Sequence, residues 1–269
     1  MADTSDTKCQ SRYKALIEKI FLDHYEKGVD EFAFERDDIP LAAKALGIEL
    51  PKNLGDVVYS IRYRTPMPSS VLSTQPKGME WIIEGAGRSL YIFKLVRINR
   101  IVPNPDLVTI KIPDATPEII STYALSDEQA LLAKVRYNRL IDIFLGIVAY
   151  SLQNHLRTTV NGIGQIEIDE IYVGVDRHGR QYIAPVQAKG GSDQLSVVQT
   201  KQDISCCGEK FPGLICRSIS AQFMASDMIA MFELMLDDGH VKVVDEKHYR
   251  LVPSDQILPE DLQTYNRRR

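Results

Sequence analysis

Apolar residues recur at helical spacing between residues 11 and 27. Leu16, Ile17, Ile20, Phe21 and Tyr25 share one face there, and Gly28 stops the run. A short extended piece, Glu31-Phe32-Ala33-Phe34, comes next. Asp37 or Asp38 then caps a second helix through Leu46, ended by Gly47 and Pro51. Asn53 caps a third, Leu54 to about Arg64, with Val57, Val58 and Ile61 inward and Tyr59, Arg62, Tyr63 and Arg64 available outward. Two β-rich runs follow, Gly78 to Ile83 and Ser89 to Lys94, around a Gly85-Ala86-Gly87 turn. They predict a hairpin with Trp81 and Tyr91 facing each other across it.

Periodicity fades over residues 101–125, which hold Pro103, Pro105, Pro113 and Pro117 and read as an extended linker. Ser126 and Gln129 make a capping box, and a helix is expected from there to about Asn154, with Leu131, Leu132, Val135, Ile143, Phe144, Ile147 and Val148 as its stripe. Strands are expected over 156–160, 163–175 and 181–189, joined by Asn161-Gly162 and by a turn at 176–179. Gly190-Gly191 breaks the last of these, and Ser192 caps a helix to about Glu209. Three further β-rich runs close the chain, at 214–224, 228–236 and 241–252. The expectation is an α+β protein with domains at 1–100 and 126–269. The first has the order of a winged helix–turn–helix, in which the third helix enters the major groove and the hairpin touches the backbone.

Composition narrows the class. With 269 residues, 44% hydrophobic and 25% charged, the chain reads as globular and neither disordered nor collagen-like. No apolar run reaches the ~18 residues that span a bilayer, and Met1 to Asp6 carry no apolar leader segment. Cys206-Cys207 with Cys216 lacks a C-x-x-C pair and reads as buried thiols, so a cytoplasmic location without disulfides is expected. The net charge of −4 hides an asymmetry. Residues 51–100 carry eight Lys/Arg against three acids, whereas residues 1–50 carry seven against eleven. A local basic surface on an acidic chain is what phosphate binding needs, because charges act within about a Debye length.

Candidate chemistry lies in Glu167-Ile168-Asp169-Glu170 and Gln187-Ala188-Lys189. Strand alternation puts Glu167 and Asp169 on one face, and likewise Gln187 and Lys189, while the hairpin sets the two strands side by side. A carboxylate, an amide oxygen and an ammonium would then converge. Phosphodiester hydrolysis uses such a set: hard oxygens for a divalent cation and a positive group near the nucleophile or the developing charge.

On these residues, and on the order helix–three strands–helix–strand, the chain resembles the PD-(D/E)XK nuclease superfamily in the D…QxK variant of Mrr-like restriction endonucleases. The resemblance covers roughly the middle hundred residues and implies a restriction-endonuclease-like αβββαβ core with a mixed central sheet. It implies Asp169 as principal ligand of Mg²⁺ (or Mn²⁺), Gln187 in the usual acidic position and Lys189 orienting or activating the water. A neutral Gln is a weaker Mg²⁺ ligand than Glu, so a further carboxylate is expected, with Glu128 as candidate and Glu167 and Glu170 as rivals. The helix bearing Gln199, Lys201 and Gln202 resembles the family's DNA-facing second helix.

The expected activity is therefore a Mg²⁺-dependent endonuclease of restriction type acting on double-stranded DNA as a homodimer, without a membrane partner. Arg62 and Arg64 would contact DNA from the third helix, and Arg88 or Lys94 would contact phosphate from the wing. The alternatives are a non-catalytic DNA-binding regulator with an inactive core, and a resolvase or repair nuclease.

Overall fold

Around Phe21 the apolar stripe of the first helix becomes the centre of a core. Helix α1 (Thr4–His24) buries Leu16, Ile17, Ile20 and Phe21. Strand β1 (Glu31–Glu35), helices α2 (Asp38–Leu46), α3 (Leu54–Tyr63) and α4 (Ser69–Leu72), and the hairpin β2 (Met79–Gly85) and β3 (Leu90–Arg97) follow. The sheet order is β1-β3-β2, antiparallel throughout. The Phe21 ring lies 4.9–5.3 Å from those of Tyr25, Phe32, Trp81 and Phe93, so aromatic contacts join helix to sheet. Gly47 ends α2 in the left-handed region at φ +65, as its place in the sequence predicts.

The hairpin register differs from expectation. Trp81 lies opposite Leu95, and Tyr91 lies opposite Gly85. The loop is Gly87-Arg88-Ser89, two residues beyond the expected turn, with Gly87 and Ser89 at positive φ. A turn centre displaced by two residues moves every cross-strand partner by four. Trp81 instead donates from Nε1 to Thr74 Oγ1 at 2.9 Å, and Tyr91 stacks on Phe34.

The structure is a computed structural model describing residues 4–63, 65–97, 101–123, 128–190, 197–224, 228–237 and 239–266. Among these no helix is long and apolar enough to cross a membrane. The fold is mixed α+β in two units, residues 1–99 with 159–165 and residues 100–158 with 166–269. The expected caps Ser126 and Ser192 lie outside the described residues.

The second unit begins with β4 (Thr109–Pro113), α5 (Glu118–Tyr123), α6 (Glu128–Tyr137) and α7 (Leu140–Leu145). Strands β5 (Val148–Val160), β6 (Gly164–Val175) and β7 (Gln181–Lys189) come next, then α8 (Val197–Lys210). After it come β8 (Ile215–Cys216), β9 (Ser218–Phe223), β10 (Met228–Asp237), β11 (His240–Val252) and α9 (Pro259–Asn266). The large sheet runs β4-β11-β10-β9-β7-β6-β5, with β8 beside β7. It is mixed: β6 and β7 are antiparallel, while β7 and β9 are parallel across the α8 crossover.

Two expectations are corrected here. Residues 101–125 are not a bare linker, because Ile101 is buried with Phe232 and Val241, and β4 pairs in parallel with β11. Pro113 falls at the strand's last position and Pro117 just before α5, where a missing N–H costs little. Nor does one helix run from 126 to 154. Arg139 at φ +50 separates α6 from α7, Gly146 at φ +66 ends α7, and Val148 onward is strand. A dense apolar run there satisfies helical and strand periods alike.

Helix α6 packs Leu131, Leu132 and Val135 against one face of the sheet, with Tyr172, Ala184, Val186 and Ala188. Cys207 of α8 packs on the other with Ile171 and Ile183. Strand β7 is therefore buried from Tyr182 to Ala188, as strands covered on both faces are. Apart from the Tyr182 hydroxyl, Gln187 is the polar side chain in that run.

Candidate active site

The ladder between β6 and β7 runs from Val175↔Gln181 to Glu170↔Val186 and stops. Beyond it, side chains take over the hydrogen bonding. The Ala188 amide donates to Asp169 Oδ2 at 2.9 Å, and Gln187 Nε2 reaches the Glu167 carbonyl at 3.3 Å. On its other side β7 stays paired with β9 through Lys189↔Gln222. The parting of β6 from β7 thus lies beside the three residues singled out in the sequence.

Gln187 is 3% exposed and turns toward α8, where its Nε2 donates to Asp203 Oδ2 at 2.9 Å. Its Oε1 is buried and accepts no hydrogen bond. A buried acceptor that no protein group reaches is suited to an added partner, since leaving it unmet costs about 1–3 kcal/mol. Burial pushes the Asp203 carboxyl well above the usual carboxylate range; the Gln187 amide opposes this, the Asp169 charge adds to it and Lys189 opposes it. Burial likewise raises Asp169, against the Ala188 N–H and the Lys189 and His155 charges, while Glu128 pushes it further up. Glu128, at the first position of α6, is thus electrostatically coupled to Asp169.

The rival carboxylates are occupied elsewhere. Glu170 is fully buried on the α6 side, where Arg136 Nε donates to it at 2.8 Å and Ser151 Oγ also donates. Glu167 pairs with Arg157 Nε at 3.2 Å and meets His155 Nδ1 at 3.3 Å, so only its main-chain carbonyl serves Gln187. His155 lies within β5 at φ +47, a conformation uncommon for a residue with a Cβ.

Among the described residues, no three His, Cys, Asp or Glu side chains gather as a ready-made metal site. Mg²⁺ commonly takes only one or two carboxylates, with water and substrate phosphate completing its shell. The Asp169 carboxylate and the unbonded Gln187 Oε1 fit that requirement, with Glu128 as a further carboxylate. Asp203 is the residue the sequence reading passed over. Its signal was an acid on the buried face of α8, which also holds Val198, Thr200, Gln202, Cys206 and Cys207.

Of the expected DNA contacts, Gln199 and Lys201 are half-buried on α8, and Gln202 is buried. The Arg62 guanidinium does not point outward as expected: it lies over the Tyr91 ring, 5.6 Å from its centroid, with its Nε and Nη2 buried. Arg88 is exposed at the hairpin loop. Lys94 is held by Glu31 at 3.0 Å across β1 and β3, and this hydrogen bond raises its pKa. Arg64 lies outside the described residues. No protein-family model, curated protein or solved structure matches the chain.

Proposed function

We propose that the chain is a Mg²⁺-dependent endonuclease of restriction type that hydrolyses phosphodiester bonds in duplex DNA. The observation that carries this reading is the Asp169 carboxylate held by the Ala188 amide, between Gln187 and Lys189, where β6 parts from β7, with the Gln187 Oε1 buried and unbonded. The element order supports it. Helices, β5-β6-β7, α8 and then β9 parallel to β7 are similar to the αβββαβ core of PD-(D/E)XK nucleases. The first unit, in which α1 to α3 are followed by the β2–β3 hairpin, is similar to a winged helix and would contact the duplex with Arg88.

Asp169 and Gln187 Oε1 would hold the cation. When bound, it supplies Lewis-acid stabilisation of the phosphoryl oxygens. Lys189, two residues beyond Gln187 on β7, would orient the attacking water and offset charge developing on the phosphate. A homodimer would bring two such sites to the two strands.

A non-catalytic DNA-binding regulator is the second reading, favoured by the lack of three clustered ligating side chains among the described residues. Incubating the purified chain with supercoiled plasmid separates the two. The endonuclease produces nicked or linear DNA with Mg²⁺ or Mn²⁺ and none with EDTA. A regulator retards the plasmid on a gel and leaves it intact in every condition.

A further inference from the structure

We propose that Asp203 is a positioning residue that locks the Gln187 amide with its Oε1 presented to the cation. The inference rests on the endonuclease reading and adds a residue to it.

A glutamine's terminal amide rotates over a broad, two-fold torsion, so nothing within Gln187 chooses which atom faces which way. Its surroundings do. Nε2 has two acceptors, Asp203 Oδ2 at 2.9 Å and the Glu167 carbonyl at 3.3 Å. A flipped amide would set Oε1 against the Glu167 carbonyl oxygen, which cannot donate, and would take Nε2 away from both acceptors. Of the two bonds the one to Asp203 is the shorter, whereas 3.3 Å is long for N–H···O. Removing Asp203 therefore removes most of what orients the amide.

Asp203 is itself 1% exposed, on a helix stripe with Val198, Cys206 and Cys207. A carboxyl there works against folding unless it is hydrogen-bonded, and the Gln187 amide supplies that bond. Its bond to Gln187 spans from α8 to β7 and leaves Oε1 as the buried oxygen of the pair without a hydrogen bond. Groups that orient a metal's ligand without touching the metal typically contribute 10–100-fold to affinity.

The test is Mn²⁺ binding to the full chain without DNA, followed by the electron paramagnetic resonance signal of free Mn²⁺, with circular dichroism melts as a folding control. Asp203→Ala weakens Mn²⁺ binding about tenfold or more. Asp203→Leu fills the space and does the same even where Asp203→Ala is poorly folded. Asp203→Asn keeps an acceptor for Nε2 and restores most of the affinity, which a purely electrostatic role would not allow. In a Gln187→Ala background Asp203→Leu has no further effect, because the two residues act as one unit. A folded Asp203→Leu protein that binds Mn²⁺ as the wild type does overturns the positioning role and leaves the endonuclease reading standing. A wild-type chain that binds no Mn²⁺ overturns both.

Discussion

The Ala188 amide donates to Asp169 Oδ2 at 2.9 Å, just past the last paired residues of β6 and β7. The strand carrying Gln187 and Lys189 therefore fixes the carboxylate of its neighbour. A site held by strand backbone is more precise than one held by loops.

Gln187→Glu tests the amide in that site. The new carboxylate would sit in a buried position against the Asp203 carboxyl, where loss of water and a second acid beside it disfavour its charge. The variant is expected to melt lower than the wild type in EDTA and to recover with Mg²⁺, since hard cations favour charged oxygens. Thermal melts across a Mg²⁺ titration check it. A melting temperature unchanged in EDTA would count against the Gln187–Asp203 contact.

Arg136 and Glu170 form a separate buried pair on the α6 side of the sheet. Arg136→Ala leaves the Glu170 carboxylate buried without its cation. Arg136 is about a third exposed, so the loss should be about 3 kcal/mol, the low end for a broken buried pair. Urea unfolding measures it. Mn²⁺ affinity of the folded variant stays at the wild-type value, which separates Glu170 from the cation site.

Much of this arrangement was legible in the residues. Alternation placed Gln187 and Lys189 on one face of β7, and stop signals such as Gly47 marked real helix ends. In the first unit α2 and α3 fall close to their expected positions because their apolar stripes are clean and bounded by turn residues, whereas α1 starts at Thr4 and α4 is unexpected. The failures share a cause, which is dependence on distant partners. β4 is a strand because β11 lies beside it, which nothing within residues 101–125 announces. The run Leu140–Leu152 fits two periods, and Arg139 and Gly146 in left-handed conformations decide between them. Asp203 reads as a stray acid on α8 until the sheet brings Gln187 within hydrogen-bond distance.

DNA binding by the first unit is expected to depend more on Arg88 than on Lys94. Arg88 is exposed, whereas Lys94 is already paired with Glu31. A lysine that neutralises a phosphate contributes about one unit to the slope of affinity against salt. In EDTA, Arg88→Ala should therefore flatten that slope by about one, and Lys94→Ala should flatten it less. Fluorescence anisotropy of labelled duplex over a salt series reads both. A larger change for Lys94→Ala would contradict the assignment of the hairpin loop as the phosphate contact.

Asp169→Ala, compared with the wild type in one experiment, tests the central claim. Cleavage of duplex DNA is followed with Mg²⁺, and binding of the same duplex is followed in EDTA. The account predicts that cleavage is abolished while metal-free binding is retained, because the carboxylate serves the cation and not the duplex. An Asp169→Ala protein that cleaves at the wild-type rate would contradict it.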